Sequence, residues 1–128
     1  MLTGHFEQVT LVERDTFPAI GENRRGVPQG KHTHGLLAGG ARVLDELFPG
    51  FTPEITATGA LPGDIAQTCR WFHAGGYLAQ VPSGLNGIFA SRPLIEGIVR
   101  RRVLALARVR VLPGQEVAGL TKRGTDVG

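Results

Sequence analysis

The sequence predicts a mixed α/β fold with an antiparallel β-hairpin insertion. A β-branched run opens the chain, apolar residues recur at helical spacing in two later segments, and two short strand-like runs flank a glycine-rich turn. The 128 residues suffice for about one domain with one modest core. Apolar residues make up 41% and charged residues 20% of the chain, which is a globular rather than a disordered composition.

The first half of the chain predicts one strand, one loop and one helix. The run QVTLVE at residues 8–13 is β-branched and apolar, and it is typical of a buried parallel strand that ends at Glu13. Residues 16–27 are rich in Gly, Pro, Asn and Arg and predict a loop. Apolar residues recur at helical spacing over residues 35–47 until a Pro-Gly pair stops the pattern, so this segment predicts a helix.

The second half predicts a hairpin, a capped helix and further short strands. The runs CRWFH and YLAQV surround Ala-Gly-Gly at residues 74–76, which favours a tight turn between two strands. Ser91 can cap a helix that has Pro93 near its start and three consecutive arginines near its end. The other strand predictions are residues 88–90, VRVL at 109–112, QEVAGL at 115–120, and a hairpin that begins at 122–125 and that the sequence leaves incomplete.

The longest stretch without Asp, Glu, Lys or Arg, residues 71–91, is too polar for a membrane helix. It contains histidine, glutamine, proline, serine, asparagine and glycines. The N-terminus has no basic region followed by a long apolar run, so no secretory signal is predicted. We therefore expect a cytoplasmic protein with no membrane partner. Trp71, Phe72 and Tyr77 on the hairpin predict core packing.

Several side chains that carry chemistry elsewhere do not form a recognisable site here. Cys69 is the one cysteine, which excludes a disulfide framework and a cysteine-rich zinc site, and it predicts a core thiol in a reducing compartment. His32 and His34 form an HxH pair, but two ligands are too few to predict a metal site. They remain either imidazoles that line a cavity or structural loop histidines. Ser83 lacks the GxSxG pattern of a hydrolase and predicts a turn.

The charge balance permits a nucleic-acid partner without favouring one. The net charge is +3, and much of the excess lies in Arg100, Arg101, Arg102, Arg108 and Arg110. Aromatic residues are only 6% of the chain, acidic residues are spread along it, and no zinc-finger or RNP-type motif occurs. Arginines on the outer face of a helix are usually solvated. Nucleic-acid binding is therefore kept as a third hypothesis.

Glu13 at the end of a predicted strand matches the acidic half of a dinucleotide site. A carboxylate at such a strand tip accepts hydrogen bonds from an adenosine ribose. The pattern also requires GxGxxG about 20 residues earlier. Only 12 residues precede Glu13, however, and no two glycines in the chain are separated by a single residue. We expect the glycine loop to lie upstream of the sequence. The alternative for Glu13 is an ordinary solvated carboxylate.

Five segments occur in an order that is typical of one family. They are VTLVERD, RRGVPQGKHTHGLL, LDELFPG, SRPLIEGIVRRRV and EVAGL. The ordered set resembles FAD-dependent oxidoreductases of the single-component monooxygenase type, with the para-hydroxybenzoate hydroxylase fold. The resemblance implies that residues 1–128 form an incomplete Rossmann-like FAD-binding domain, with the start of a substrate-domain sheet in a hairpin at about residues 64–90.

The resemblance implies contacts to the adenosine half of FAD. Glu13 would hold the ribose, Arg14 would flank the adenosine, and the backbone of Val117 would meet the adenine. Arg25 and Arg92 would reach the phosphates or the ribose, which suits the planar, permanently charged fork of arginine. Arg92 would also lie at a helix start, where backbone amides favour anions.

The resemblance implies contacts to the flavin ring and an overall reaction. The loop that ends at Gln29 would pass near the flavin. Such enzymes reduce FAD with NADH or NADPH, react the reduced flavin with oxygen, and insert one oxygen atom into a small organic substrate. No catalytic residue is assigned by the sequence.

Other expectations follow from the missing glycine loop and from the open sheet. We expect a truncated chain that is inactive in isolation, because the amides that hold the diphosphate belong to that loop. An unpaired sheet edge would also permit self-association. The alternative to a flavin enzyme is a noncatalytic remnant or protein-interaction module without flavin.

Overall fold

The computed structural model describes residues 1–32, 34–123 and 126–127 and has a mixed α/β fold, which confirms that prediction. Short 3-10 helices lie at Leu2–Gly4 and Pro28–Lys31. The α-helices are α1 (Ala38–Leu47), α2 (Phe51–Ala57), α3 (Ile65–Thr68) and α4 (Arg92–Leu104). The strands are β1 (Val9–Glu13), β2 (Gly35–Leu36), β3 (Leu61–Asp64), β4 (Phe72–His73), β5 (Gly76–Tyr77), β6 (Asn86–Phe89), β7 (Val109–Pro113), β8 (Lys122–Arg123) and β9 (Asp126–Val127). None of the described helices is long and apolar enough to cross a membrane.

Strands β1 and β7 form a parallel pair, as expected for the opening strand. The register places Val9 opposite Val109 and Glu13 opposite Pro113. Helix α4 precedes β7 and packs against it. Because the pair is parallel, the carboxyl ends of both strands meet at one edge of the sheet. Glu13 therefore lies at the carboxyl edge of this two-stranded parallel pair.

The other strands form small antiparallel sheets. Strand β6 lies between β2 and β3, and β4 pairs with β5 in a separate hairpin. Strand β8 pairs with β9, which confirms that a hairpin begins near residue 122. The expectation that the sequence leaves this hairpin incomplete is wrong, because the pairing strand Asp126–Val127 lies within the chain. Residues 124 and 125 lie outside the described part of the chain. The hairpin predicted between residues 64 and 81 is present but short, with α3 and irregular segments around it.

Helix α4 begins after Ser91, as the sequence predicts. The Ser91 hydroxyl accepts a hydrogen bond from the amide of Leu94 at 3.3 Å, which caps the helix start. Pro93 costs little there, because the first helical N–H groups have no partner within the helix. Ile98 is fully buried, and Phe51 and Ile55 of α2 are fully buried in the same core. Helices α2 and α4 therefore share one buried cluster, to which Ile88 of β6 also belongs.

Helix α2 was not predicted from the sequence. It follows α1 after a tight turn at residues 48–50. The predicted helix stops near Gly50 as expected, but the chain restarts at once as α2. Gly50 has a φ of 80°, a left-handed conformation that a glycine adopts without strain. The Asp45 carboxylate then accepts hydrogen bonds from the amide of Thr52, at 2.9 Å, and from its hydroxyl. These hydrogen bonds lower the pKa of Asp45.

Two further predictions of secondary structure were wrong. The helix expected over residues 35–47 begins only at Ala38, because Gly35 and Leu36 pair with β6 as β2. The strand expected at residues 115–120 is irregular. The chain leaves β7 through Gly114, whose φ is 68°, and the amide of Gln115 donates to the carbonyl of Glu13 at 3.0 Å. This bond turns the segment back over the end of β1.

The expectation that the hairpin aromatics and Cys69 are core residues was also wrong. Trp71 is 50% exposed, Phe72 64% and Tyr77 62%. Cys69 is partly exposed. The rings of Phe72 and Tyr77 meet edge to face with centroids 5.2 Å apart, so these side chains pack locally against each other. The hairpin extends beyond the core instead of covering it.

Asp64 fastens the loop that precedes β6. Its carboxylate accepts hydrogen bonds from the amides of Ala66 and Gln67 at the start of α3. It also accepts from the hydroxyl and amide of Ser83 and from the amide of Gly84, each at 2.7 Å. The bond from the Ser83 hydroxyl, followed by these amides, holds the pKa of Asp64 well below its usual range. The predicted turn at Ser83 is therefore held by a charged acceptor.

Asp64→Ala is expected to release this loop. The amides of Ser83 and Gly84 lose their acceptor, so their hydrogen exchange should accelerate. Amide exchange followed by NMR measures this directly. Asp15→Ala, a change of the same kind in another loop, should leave both rates unchanged. Unaltered protection of Ser83 and Gly84 in Asp64→Ala would contradict the assignment.

Candidate functional site

Glu13 ends β1 with its carboxylate already engaged. One oxygen accepts from the amide of Asp15 at 2.9 Å, and the other accepts from the guanidinium of Arg24 at 2.8 Å. The hydrogen bond from the Asp15 amide lowers the pKa of Glu13. The hydrogen bond and positive charge of Arg24 lower it further, although partial desolvation acts in the opposite direction. Glu13 is therefore an ionised acceptor at the carboxyl edge of the parallel pair.

Arg24 connects this carboxylate to helix α4. Its Nε lies 3.5 Å from a carboxylate oxygen of Glu96, so one guanidinium lies between two acids. Glu96 is also 4.0 Å from Nε of Arg92 and 3.9 Å from a terminal nitrogen of Arg100. The side chains of Arg24, Glu13 and Glu96 are each about one quarter exposed or less. The result is a partly buried network of alternating charges from Glu13 to the start of α4.

Arg100 holds the loop that follows β1. Its guanidinium donates to the carbonyl of Pro18 at 2.6 Å and lies 5.1 Å from the centre of the Phe17 ring. The loop is therefore attached to α4 by one hydrogen bond and one cation–π contact. This attachment orients the loop residues beside Glu13.

A polar cavity of about 410 Å³ opens beside this network. Its lining is basic and rich in hydrogen-bonding groups: Arg14, Asp15, Thr16, Pro18, Asn23, Arg24 and Arg25. Guanidinium groups favour anionic ligands, and the nearby carboxylate favours hydroxyl donors. The combination suits a ligand that carries both phosphate and sugar hydroxyl groups.

Some of the residues predicted to contact FAD lie together in the structure, and others lie apart. Arg14 and Arg25 line the polar cavity. Glu13 is not in the lining, but it accepts a hydrogen bond from Arg24, which is. Arg92 begins α4 with its side chain 43% exposed, and it is connected to Glu13 only through Glu96 and Arg24.

Gln29 and Val117 lie outside the polar cavity. Gln29 belongs to the 3-10 helix Pro28–Lys31, which packs against α4. Val117 follows β7 with 63% of its surface exposed, two residues after the amide that bonds to Glu13. The predicted role of Val117 is a backbone contact, so the exposure of its side chain does not test it.

Arg24 and Glu96 are central to the network, and neither was predicted as a site residue from the sequence. Arg24 is adjacent to Arg25 in the run RRGVPQG, and the pattern gives no means of choosing between them. Glu96 is one turn after Arg92 on α4, a spacing that predicts an ion pair on a helix. That spacing is the signal that could have pointed to Glu96.

The two predicted histidines lie at a second polar cavity, of about 640 Å³. His32 is exposed, His34 is partly buried, and Lys31, Ser91 and Pro93 lie nearby in the lining. Among the described residues, no group of three or more His, Cys, Asp or Glu side chains could hold a metal ion.

Comparison with known proteins gives one relative without a stated activity. No protein-family model matches the chain. The chain is 35% identical over 116 residues to Protein Rv3254 of Mycobacterium tuberculosis, strain ATCC 25618 / H37Rv. That similarity covers 88% of this chain and 24% of the relative. The chain therefore spans about a quarter of the length of the curated relative that it matches.

Proposed function

We propose that this chain is part of a cytoplasmic FAD-dependent oxidoreductase of the monooxygenase type. In this proposal, the carboxyl edge of β1 and β7 belongs to a Rossmann-like domain and takes the adenosine diphosphate half of FAD. The observation that carries the proposal is the ionised carboxylate of Glu13 at the end of a parallel strand, beside a cavity lined by Arg14, Arg24 and Arg25. This placement follows the general rule for ligands in open α/β sheets.

The engaged state of Glu13 is compatible with a bound ribose. A carboxylate offers about four acceptor positions, and the described contacts of Glu13 use one on each oxygen. Ribose hydroxyls can therefore donate to the remaining positions while Arg24 stays in place. Arg24 would then hold the carboxylate in a fixed orientation, which lowers the entropic cost of binding.

The arginines would neutralise the diphosphate. Arg14 and Arg25 are exposed at the cavity, so their guanidinium groups can turn towards phosphate oxygens. Arg14 would exchange its 3.7 Å ion pair with the Asp15 carboxylate for a phosphate contact. Arg92 lies at the start of a 13-residue helix, where the backbone amides also favour an anion. FAD would supply the electron transfer with NAD(P)H and the oxygen chemistry on the organic substrate. The activity of the whole protein is part of this proposal.

Binding of FAD to this edge can be tested by NMR on the 15N-labelled chain. Weak binding is expected, because no glycine loop is present in the sequence to hold the diphosphate. FAD should nevertheless shift the amide signals of Glu13, Arg14, Arg25 and Arg92 in a saturable manner. Riboflavin, which lacks the adenosine diphosphate, should leave these signals in place.

Glu13→Ala should weaken FAD binding by about 1 to 3 kcal/mol, because the ribose loses a charged acceptor. Glu7→Ala, which removes an exposed carboxylate before β1, is the matched control and should have no effect. The proposal fails if FAD shifts no signal at this edge, or if Glu13→Ala and Glu7→Ala bind FAD equally well.

A further inference from the structure

A smaller apolar cavity lies away from the Glu13 network, beside the three-stranded sheet. Its volume is about 220 Å³. Strands β2 and β6 provide one side, and the segment from α3 to the hairpin provides another. The lining residues are His34, Gly35, Leu36, Leu37, Ile65, Cys69, Trp71, Gly87, Ile88 and Phe89.

None of the described lining residues carries a permanent charge. Aliphatic side chains and two aromatic rings make up most of the wall, so the cavity favours an apolar occupant. The indole N–H of Trp71 is already used, since it donates to the carbonyl of Ile65 at 3.3 Å. A carboxylate or ammonium group placed against this wall would lose part of its hydration without gaining an ionic partner from the described lining. The lining therefore selects against charged ligands.

His34 is the polar side chain that distinguishes this wall. Its Nδ1 is buried and has no hydrogen-bond partner among the described residues. A buried polar atom without a partner is uncommon and calls for an explanation. The His34 side chain lines this cavity as well as the 640 Å³ polar cavity, so it can meet a ligand bound here. A neutral imidazole can donate or accept one hydrogen bond there.

The size of the cavity limits the occupant to a small molecule. A volume of 220 Å³ corresponds to roughly seven water molecules. One six-membered ring with a short substituent is of this size. Trp71 and Leu37 are at least half exposed at the rim, so the cavity is open to solvent and a ligand can enter.

We infer that this cavity binds an uncharged, mainly apolar small molecule of about one ring, with a single hydroxyl group that hydrogen-bonds to His34. As a binding site, the inference depends only on the cavity and its lining. As the place where an organic substrate is held, it rests on the proposed function.

Trp71 allows a direct test, because it is the one tryptophan of the chain and it lines the cavity. Cyclohexylmethanol and cyclohexanecarboxylate are nearly equal in size and differ in charge. The alcohol should change the Trp71 fluorescence in a saturable manner, beyond its effect on free N-acetyltryptophanamide. The carboxylate should produce no saturable change. Absence of saturation with the alcohol, or equal binding of the two ligands, would overturn the inference.

His34→Leu should weaken binding of the alcohol about 3- to 10-fold, which is the usual effect of one neutral hydrogen bond. His32→Leu is the matched control, because His32 is exposed and does not line this cavity. Equal affinity of the two variants would contradict the role of His34. Circular dichroism verifies that both variants keep the native helix content.

Leu37→Lys tests the charge argument without disturbing the core, since Leu37 is exposed at the rim. The added ammonium group should let cyclohexanecarboxylate bind, and the preference for the alcohol should fall or reverse. An unchanged preference would contradict selection by charge at this cavity.

The test of this apolar cavity and the test of the proposed function can fail independently of each other. Saturable alcohol binding without an FAD effect at Glu13 would leave this site standing and remove the flavin proposal. FAD binding at Glu13 without alcohol binding at Trp71 would do the opposite.

Discussion

Phe51→Ala is expected to lower the free energy of unfolding by about 3–5 kcal/mol. Phe51 is 0% exposed at the start of α2, and it belongs to the same buried cluster as Ile55 of α2 and Ile98 of α4. Removing its ring loses apolar burial and leaves a cavity where two helices meet. The expected loss is a large part of the stability of a domain of this size.

Urea unfolding followed by circular dichroism measures the effect of Phe51→Ala. The matched control is Phe72→Ala, which deletes the same side chain at a position that is 64% exposed. The control should change the free energy of unfolding far less. Similar losses in both variants would show that the hairpin, and not α2, belongs to the stabilising core.

Local sequence patterns located the elements whose signals do not depend on distant residues. Helix α4 has a capping serine, an early proline and an apolar stripe that ends at arginines, and all of these lie within one segment. The β1 strand is a β-branched run with acidic residues at both ends. Both elements are present with nearly the predicted bounds. Local chemistry specifies them.

The wrong predictions concern segments whose state depends on a partner elsewhere in the chain. Gly35 and Leu36 are part of a helical pattern, but in the fold they pair with one edge of β6 and form a strand. Residues 115–120 have a strand pattern, but among the described residues no neighbouring strand pairs with them. A pattern of one segment cannot indicate which edges are open. Tertiary context decides these cases.

The hairpin illustrates the same limit for burial. Trp71, Phe72 and Tyr77 are residues that usually enter a core, and the sequence contains no sign that these three stay outside. Whether a ring is covered depends on what lies against it. Trp71 instead forms part of the rim of the apolar cavity, next to Cys69. The wrong burial prediction therefore coincides with the second candidate site.

The Glu13 site was predicted in its position but not in its connections. Glu13 at a strand end is a local signal, and the structure places it at the carboxyl edge of a parallel pair. Arg24 reaches Glu13 from 11 residues away, while the neighbouring Arg25 faces the open cavity. Which of two adjacent arginines points inward depends on the course of the loop. The loop is fixed in turn by Arg100 on α4.

Arg24→Gln is expected to lower the free energy of unfolding by about 1–2 kcal/mol at neutral pH. The change removes the positive charge that lies between Glu13 and Glu96. Both carboxylates are partly buried, and they would then lack this counter-charge. Arg25→Gln is the matched control, because Arg25 is exposed at the cavity and should contribute little. Urea unfolding of both variants measures the difference.

The effect of Arg24→Gln should also depend on pH in a defined direction. The pKa of Glu13 is lowered in the folded protein from its ordinary value of 4.5, first by the Asp15 amide and also by Arg24. Stabilisation by this carboxylate is therefore complete above 4.5 and is lost as the pH falls through the lowered value. The stability difference between the native chain and Arg24→Gln should shrink over that acid range. A difference that stays constant there, or an Arg25→Gln variant as unstable as Arg24→Gln, would contradict the role of Arg24 as the partner of Glu13.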